Sequence, residues 1–275
     1  MATPIHLIGL PTDVHSSFLR GPARAPARIR AQLVSDHSNQ ASERGGELGA
    51  DIDLVDRGDL PLAEGPDDDR MIADGIAAAL RLGAIPIALG GDHSVTYPVL
   101  RAIAAAHGPV DILHIDAHPD LYDDYGGDRR SHASPFARIM EDGLAGRLVQ
   151  VGIRTLERHC RAQAERFGVE IIEARHFRPG CVPKFEGPLY ISIDMDGFDP
   201  SCAPGVSHLE PGGLTARDVI DLLLAIETPV AGADVVELNP DRDINDMTAA
   251  LAAKLVKELA ALASAFPAVA PRGDS

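Results

Sequence analysis

Seven short apolar runs limit what this chain can become more than any other feature: Ile5–Leu10, Ile85–Leu89, Val110–Ile115, Leu148–Ile153, Val169–Ile172, Leu189–Ile193 and Ala233–Leu238. They are nearly continuous in apolar character, as strands are when both faces are covered, the situation inside a parallel sheet. Between them lie stretches with helical periodicity, at Asp67–Leu82, Tyr97–His107, Ser134–Asp142, Leu156–Phe167, Thr215–Ile226 and Ile244–Phe266. Strands alternating with helices predict an α/β fold, a three-layer αβα arrangement around a mostly parallel sheet. No linker or repeat divides the 275 residues, so one domain over 1–275 is expected. Residues 35–50 read as a polar surface loop, and the tail Ala268–Ser275 as a frayed end.

Charge narrows the partners. With 41 acidic and 25 basic side chains the net charge is −16, which disfavours nucleic acid and anionic membrane surfaces and suits metal ions or cationic small molecules. No apolar run approaches the roughly 18–20 residues of a spanning helix. The N-terminus shows no signal-peptide pattern. Cys160, Cys181 and Cys202 are odd in number and form no Cys-x-x-Cys pair, so a reduced cytoplasmic chain without a thiolate zinc site is expected.

The chemistry concentrates where apolar runs end. His114-Ile115-Asp116-Ala117-His118-Pro119-Asp120 follows one run, and residues two apart on an extended strand share a face, so Asp116, His118 and Asp120 are expected to converge. Crowding such groups without compensation costs several kcal/mol, on the order of the penalty for a buried ion, and a divalent cation removes that cost. Asp194 and Asp196 share a face after another run, whereas Asp199 falls out of phase and suits the turn before Pro200. Leu89-Gly90-Gly91-Asp92-His93-Ser94 passes through two glycines into a helix start and offers His93. Ligands of open α/β sheets bind beyond the carboxyl ends of strands. Four carboxylates and two imidazoles (His93, Asp116, His118, Asp120, Asp194 and Asp196) exceed a tetrahedral zinc site and suit two hard divalent ions about 3.5–4 Å apart. Oxygen-dominated ligation favours Mn2+, with Co2+ or Fe2+ also compatible.

Together the three segments resemble the metal motifs of the ureohydrolase family, which includes arginases and agmatinases. The resemblance runs from about Ile5 to Leu262 and takes in Gly21-Pro22-Ala23-Arg24-Ala25-Pro26 and Val235-Val236-Glu237-Leu238-Asn239-Pro240. It implies a binuclear manganese centre, with His93, Asp116, Asp120 and Asp194 holding one ion and Asp116, His118, Asp194 and Asp196 the other. It also implies a homo-oligomer, a trimer or hexamer, and hydrolysis of a guanidino compound to urea and an amine by a hydroxide bridging the ions. In that reaction Asp120 is expected to accept the water proton. Glu237 would pair with the guanidinium, a group that stays protonated. His132, on the loop after the second motif, would return a proton to the leaving amine.

The substrate is read from two segments. Asp123, Asp128, Arg129 and Arg130 lie on the loop after the second motif, and His208 and Glu210 lie in Ala203–Gly213. The first loop lacks the asparagine- and serine-rich pattern with which arginases hold an α-carboxylate. Its acids suit the cationic tail of agmatine, the favoured substrate, and its arginines a guanidino acid. Formimidoylglutamate and arginine remain as alternatives, and outside the family a two-metal phosphoesterase or a non-catalytic metal-binding scaffold.

Overall fold

The computed structural model describes residues 3–178, 180 and 182–268. Eight strands form one sheet: β1 Ile5–Leu10, β2 Leu54–Asp59, β3 Ile85–Gly90, β4 Val110–Ile115, β5 Ala145–Ile153, β6 Glu170–Glu173, β7 Leu189–Asp194 and β8 Val230–Val236. Their order is β2-β1-β3-β8-β7-β4-β5-β6, and every ladder is parallel. Seven α-helices cover the sheet among the described residues: α1 Ala25–Leu33, α2 Asp68–Arg81, α3 Thr96–His107, α4 Pro135–Glu141, α5 Arg158–Phe167, α6 Ala216–Leu224 and α7 Met247–Ala265.

Alternation along the strands separates two cores. Ile85, Ile87 and Leu89 of β3 pack with α1, α6 and α7, while Ala88 points to the opposite face with α2, α3, α4 and α5. Three layers result, as the apolar runs require. Burying each Leu or Ile contributes roughly 1.5–3 kcal/mol, so the doubly covered strands dominate the stability.

Two elements depart from expectation. Leu54-Val55-Asp56-Arg57-Gly58-Asp59 forms β2 although its last four residues are exposed, because an edge strand needs no apolar covering. Ala25–Leu33 forms α1 after a single 3-10 turn at Pro22–Arg24, with proline in its first turn, where the missing N–H costs nothing. Residues 35–50 form turns and isolated bridges. Of the tail expected to fray, Ala268 donates its N–H to the Val230 carbonyl (3.0 Å), and residues 269–275 lie outside the described residues, as does Cys181.

The topology puts the site at the centre. The chain lays β3 beside β1, then β4, β5 and β6 beyond a gap, and finally fills the gap with β7 and β8. The carboxyl ends of β3, β8, β7 and β4 are therefore neighbours, and each leads into one of the acid- or histidine-bearing segments.

Candidate active site

Each segment is shaped by a local constraint. After β3, a Cβ on Gly91 would lie 1.8 Å from the Thr12 carbonyl oxygen, which instead accepts the Asp92 N–H at 3.0 Å, so only glycine permits this approach. The Asp92 carboxylate then accepts the Ser94 N–H (3.0 Å) and starts the turn carrying His93. After β4, Asp116 to Asp120 leave the strand altogether, and Asp120 sits at φ 51. Convergence here comes from a folded loop and not from the strand alternation expected. After β7, the Asp194 Oδ1 accepts the Asp196 N–H at 2.7 Å, which turns both carboxylates to one side. Asp199 points elsewhere, taking the N–H groups of Ser201 and Gly212, which is the turn role anticipated from its phase. After β8, Glu237 adopts φ 63 and accepts the His93 N–H (2.9 Å) across 144 residues of chain. Left-handed backbone costs a non-glycine residue roughly 1–2 kcal/mol, so two site carboxylates are held against a local preference.

Six side chains gather into two adjoining groups. The Nδ1 of His93 lies 3.3, 3.1 and 3.0 Å from oxygens of Asp116, Asp120 and Asp194. The Nδ1 of His118 lies 3.4 Å from the other oxygen of Asp116 and 3.1 Å from Asp196. Asp116 therefore faces both groups, one oxygen to each. His93, Asp116, Asp120, Asp194 and Asp196 are all buried. Burial, joined by the charges of Asp196 and Asp116, pushes the Asp194 carboxyl far above its ordinary range. Asp196 is raised to about 6, again chiefly by burial.

The first group discriminates between a proton and a metal cation. Burial resists charging the His93 ring, but the three carboxylates outweigh it and hold its pKa well above the usual value. The cluster therefore calls for positive charge at Nδ1. Yet among the described residues this buried nitrogen has no hydrogen-bond partner: none of the three oxygens is aligned with an N–H there. The reason lies on the far side of the ring. Asp234 is fully buried and accepts hydroxyl protons from Ser192 (2.6 Å), Tyr190 (2.6 Å) and Thr96 (2.7 Å). With its only hydroxyl proton committed to Asp234, the Ser192 oxygen accepts from His93 Nε2–H at 2.9 Å, so when a cation takes the place of the second ring proton the lone pair offered to it is on Nδ1. A lone pair ringed by three carboxylate oxygens fits a divalent cation of the hard, oxygen-preferring kind. Exchanging Asp234 for Asn should free the Ser192 proton to turn toward His93 and favour the other tautomer. We expect metal affinity at this group to fall about 10–100-fold, measured by titration calorimetry with Mn2+, while far-ultraviolet circular dichroism stays unchanged.

His114, which by sequence parity with Asp116 suited either a supporting role or a satisfied core position, supports Asp116. Its Nε2–H donates to Asp116 at 2.7 Å, the Gln150 amide donates to its Nδ1 at 3.0 Å, and Phe136 stacks on the ring at 3.9 Å.

A cavity of about 320 Å3 opens over both groups. His118, Asp120, Asp194, Asp196, His132, His208 and Glu237 line it. His132 Nδ1 lies 2.8 Å from Glu237, and its Nε2 lies 2.8 Å from the Ser17 hydroxyl oxygen, which accepts from the charged ring. Burial opposes a charge on His132, but the Glu237 carboxylate prevails and raises its pKa to about 9. The same cation holds Glu237 below its ordinary value, against burial. His208 lies between the rings of Phe18, His118 and His132, and burial lowers its pKa, so it is neutral at pH 7. Glu210 approaches His118 Nε2 at 3.7 Å from outside the lining.

The charged side chains expected to recognise the substrate on the loop after the second motif turn away from the cavity. Asp123 accepts the Gln163 amide and Asp128 pairs with His15. Arg129 pairs with Glu141, and Arg130 forms two bonds to Asp69. None of these four lines the cavity, because each is satisfied within the loop or by a neighbouring element. The lining also includes Tyr122 and Tyr125, from the loop expected to border the pocket, together with Ser17, Thr155 and Glu157, which sequence reasoning missed. Glu157 reads as a helix cap, and it is one: its carboxylate takes the N–H groups of His159 and Cys160 at the start of α5.

Comparison with known proteins agrees with this architecture. A model of the arginase family matches residues 3–261. Arginase 1, mitochondrial, of Arabidopsis thaliana is 51% identical over 272 residues, covering 93% of this chain and 80% of its own. Agmatinase, mitochondrial, of Gallus gallus is 34% identical, covering 92% of this chain and 78% of its own. The solved arginase from Medicago truncatula superposes with a TM-score of 0.88 at 45% identity, covering 94% of this chain and 87% of that one. Since the matched span runs from the first strand through the segment bearing Glu237 and nearly all of α7, the chain belongs to the arginase family.

Proposed function

We propose that this chain hydrolyses a guanidino amino acid, L-arginine, to urea and the corresponding amine, with two Mn2+ ions per chain. The observation that carries the choice of substrate is the 51% identity with a plant arginase over 93% of the chain, which weighs against the agmatine preference read from sequence. The geometry supports the reaction class. His93, Asp120, Asp194 and Asp116 would hold one ion and His118, Asp196 and Asp116 the other, with Asp194 completing the bridge. When bound, the pair supplies a water nucleophile at neutral pH and offsets the negative charge that develops as it adds to the guanidinium carbon.

The chain's own groups do the rest. Glu237, beside His132 and under the cavity, accepts the guanidinium N–H groups and orients the carbon toward the carboxylate cluster. Asp120 faces the cavity and takes the water proton. His132 is cationic below about pH 9 and donates to the leaving amine. Glu157, on the far wall, offers a carboxylate to the substrate's ammonium group. Agmatine carries that ammonium without a carboxylate, and among the described residues no arginine lines the cavity, so it remains the second reading.

The deciding experiment is urea release by the manganese-loaded protein from L-arginine, agmatine and 4-guanidinobutyrate. Urea from arginine alone upholds the reading, and urea from agmatine alone replaces it. His132→Ala should lower kcat about 10²–10⁴-fold with both metals retained. The wild type should lose kcat/KM as pH rises through about 9, where His132 sheds its proton, and the variant should lack that limb. Loss of metal in the variant would remove His132 from the proton-donor role.

A further inference from the structure

One residue meets His132 with two groups of opposite sense. The ring Nε2 lies 2.8 Å from the Ser17 hydroxyl oxygen and 3.1 Å from the Ser17 backbone nitrogen, whose N–H is aimed at it. The other ring nitrogen, Nδ1, faces Glu237 at 2.8 Å. A cationic ring carries a proton on each nitrogen, and here both are taken: Nδ1–H by the Glu237 carboxylate and Nε2–H by Ser17 Oγ. Once Nε2 has lost its proton, its lone pair accepts the Ser17 N–H instead. The ring is therefore satisfied before and after it gives up a proton, without turning.

Ties on either side set Ser17 in place. The His15 N–H donates to the fully buried Asp92 at 2.9 Å, and the His15 ring pairs with Asp128 at 2.7 Å. The His15 carbonyl accepts the His132 N–H at 3.2 Å, which locks the two segments in register. Beyond Ser17, Asp13 accepts the N–H groups of Gly21 (2.6 Å) and Ala23 (3.1 Å). Ser17 itself is exposed and lines the cavity beside His132 and Glu237. A hydroxyl that accepts from the ring still has its own proton to give, and this one can give it into the cavity. On the reaction proposed above, with which this reading stands, we propose that Ser17 hands the proton from His132 to the leaving amine. The Ser17 O–H bond breaks as an N–H bond forms on the leaving nitrogen, and the His132 Nε2–H proton moves to Ser17 Oγ. Ser17 ends as the neutral hydroxyl it began as, His132 ends neutral with Nδ1–H on Glu237, and the amine leaves protonated.

The test uses the manganese-loaded protein and whichever guanidino compound the wild type hydrolyses. Ser17→Ala removes the hydroxyl and keeps the backbone N–H. Its kcat should fall about 10–100-fold, less than the full effect of a general acid because water can partly replace the hydroxyl, with KM and metal content unchanged. Ser17→Thr restores a hydroxyl and should recover most of the lost rate. The sharpest comparison adds Ser17→Ala to His132→Ala. Without the ring the relay has no source, so the second exchange should change kcat by less than about twofold, whereas independent contributions would multiply. A Ser17→Ala enzyme with wild-type kcat overturns the relay and leaves His132 as the direct donor. So does a threonine variant as slow as the alanine one, or a double variant whose losses multiply. A wild type that releases no urea from L-arginine, agmatine or 4-guanidinobutyrate overturns instead the reaction on which the relay rests.

Discussion

Asp116→Asn should abolish stable metal binding and lower urea release by about a thousandfold or more, the loss expected when roughly 4 kcal/mol of transition-state stabilisation goes. Asp116 is the side chain that presents one oxygen to the His93 group and the other to the His118 group. An amide of the same shape removes the charge shared by both and turns an N–H toward one of them. The measurement is metal content after gel filtration, set beside urea release with added Mn2+. An Asp116→Asn protein that kept two ions and near-normal turnover would remove the carboxylate from the centre of the site.

Glu237→Gln should cost about 10²–10³-fold in kcat/KM while leaving the metals in place. The carboxylate is buried, and breaking a buried ion pair by removing one partner costs about 3–5 kcal/mol. Two consequences separate this from a general loss of fold. The guanidinium loses its counter-charge, and His132 loses the neighbour that raises its pKa to about 9, so the alkaline limb of the pH profile should move to lower pH. The sign follows from the pairing: Glu237 favours the protonated ring, and without it the ring gives up its proton sooner. A variant with unchanged kcat/KM and an unmoved limb would show that neither the substrate nor His132 depends on this residue.

The layered fold was legible because its six inner strands are covered on both faces and so carry nearly unbroken apolar runs, and the edge strand β6 keeps a short apolar pair, Ile171-Ile172. β2 escaped because it sits at an edge with its last four residues exposed. The carboxylates and imidazoles were legible as clusters, since a strand end crowded with acids is costly without a purpose. The route by which they meet was not, because it depends on left-handed backbone at Asp120 and on the Asp194–Asp196 turn. Nor was the wall of the cavity. Ser17 arrives from a loop 115 residues before His132, and Glu157 carries the sequence signature of an ordinary helix cap. The charged loop from Asp123 to Arg130 shows the opposite error. Its side chains suit a substrate in kind, but they are already paired with Glu141, Asp69 and His15 or hydrogen-bonded to Gln163.

The order in which the sheet is filled bears on how the protein matures. β3 and β4 are made early in the chain, yet the gap between them closes only when β7 and β8 insert. Until then His93 has no Asp194 beside it and Asp116 no Asp196, and no partially assembled sheet contains either complete group. Manganese therefore has little to bind before the last central strand is seated, and long-range parallel pairing of this kind is slow. Ions bound at the proposed centre would stabilise only the finished topology, by an amount that grows with the logarithm of their concentration. Under the proposed metal-dependent reading, manganese would thus act as a late checkpoint, rewarding only chains in which every strand is seated.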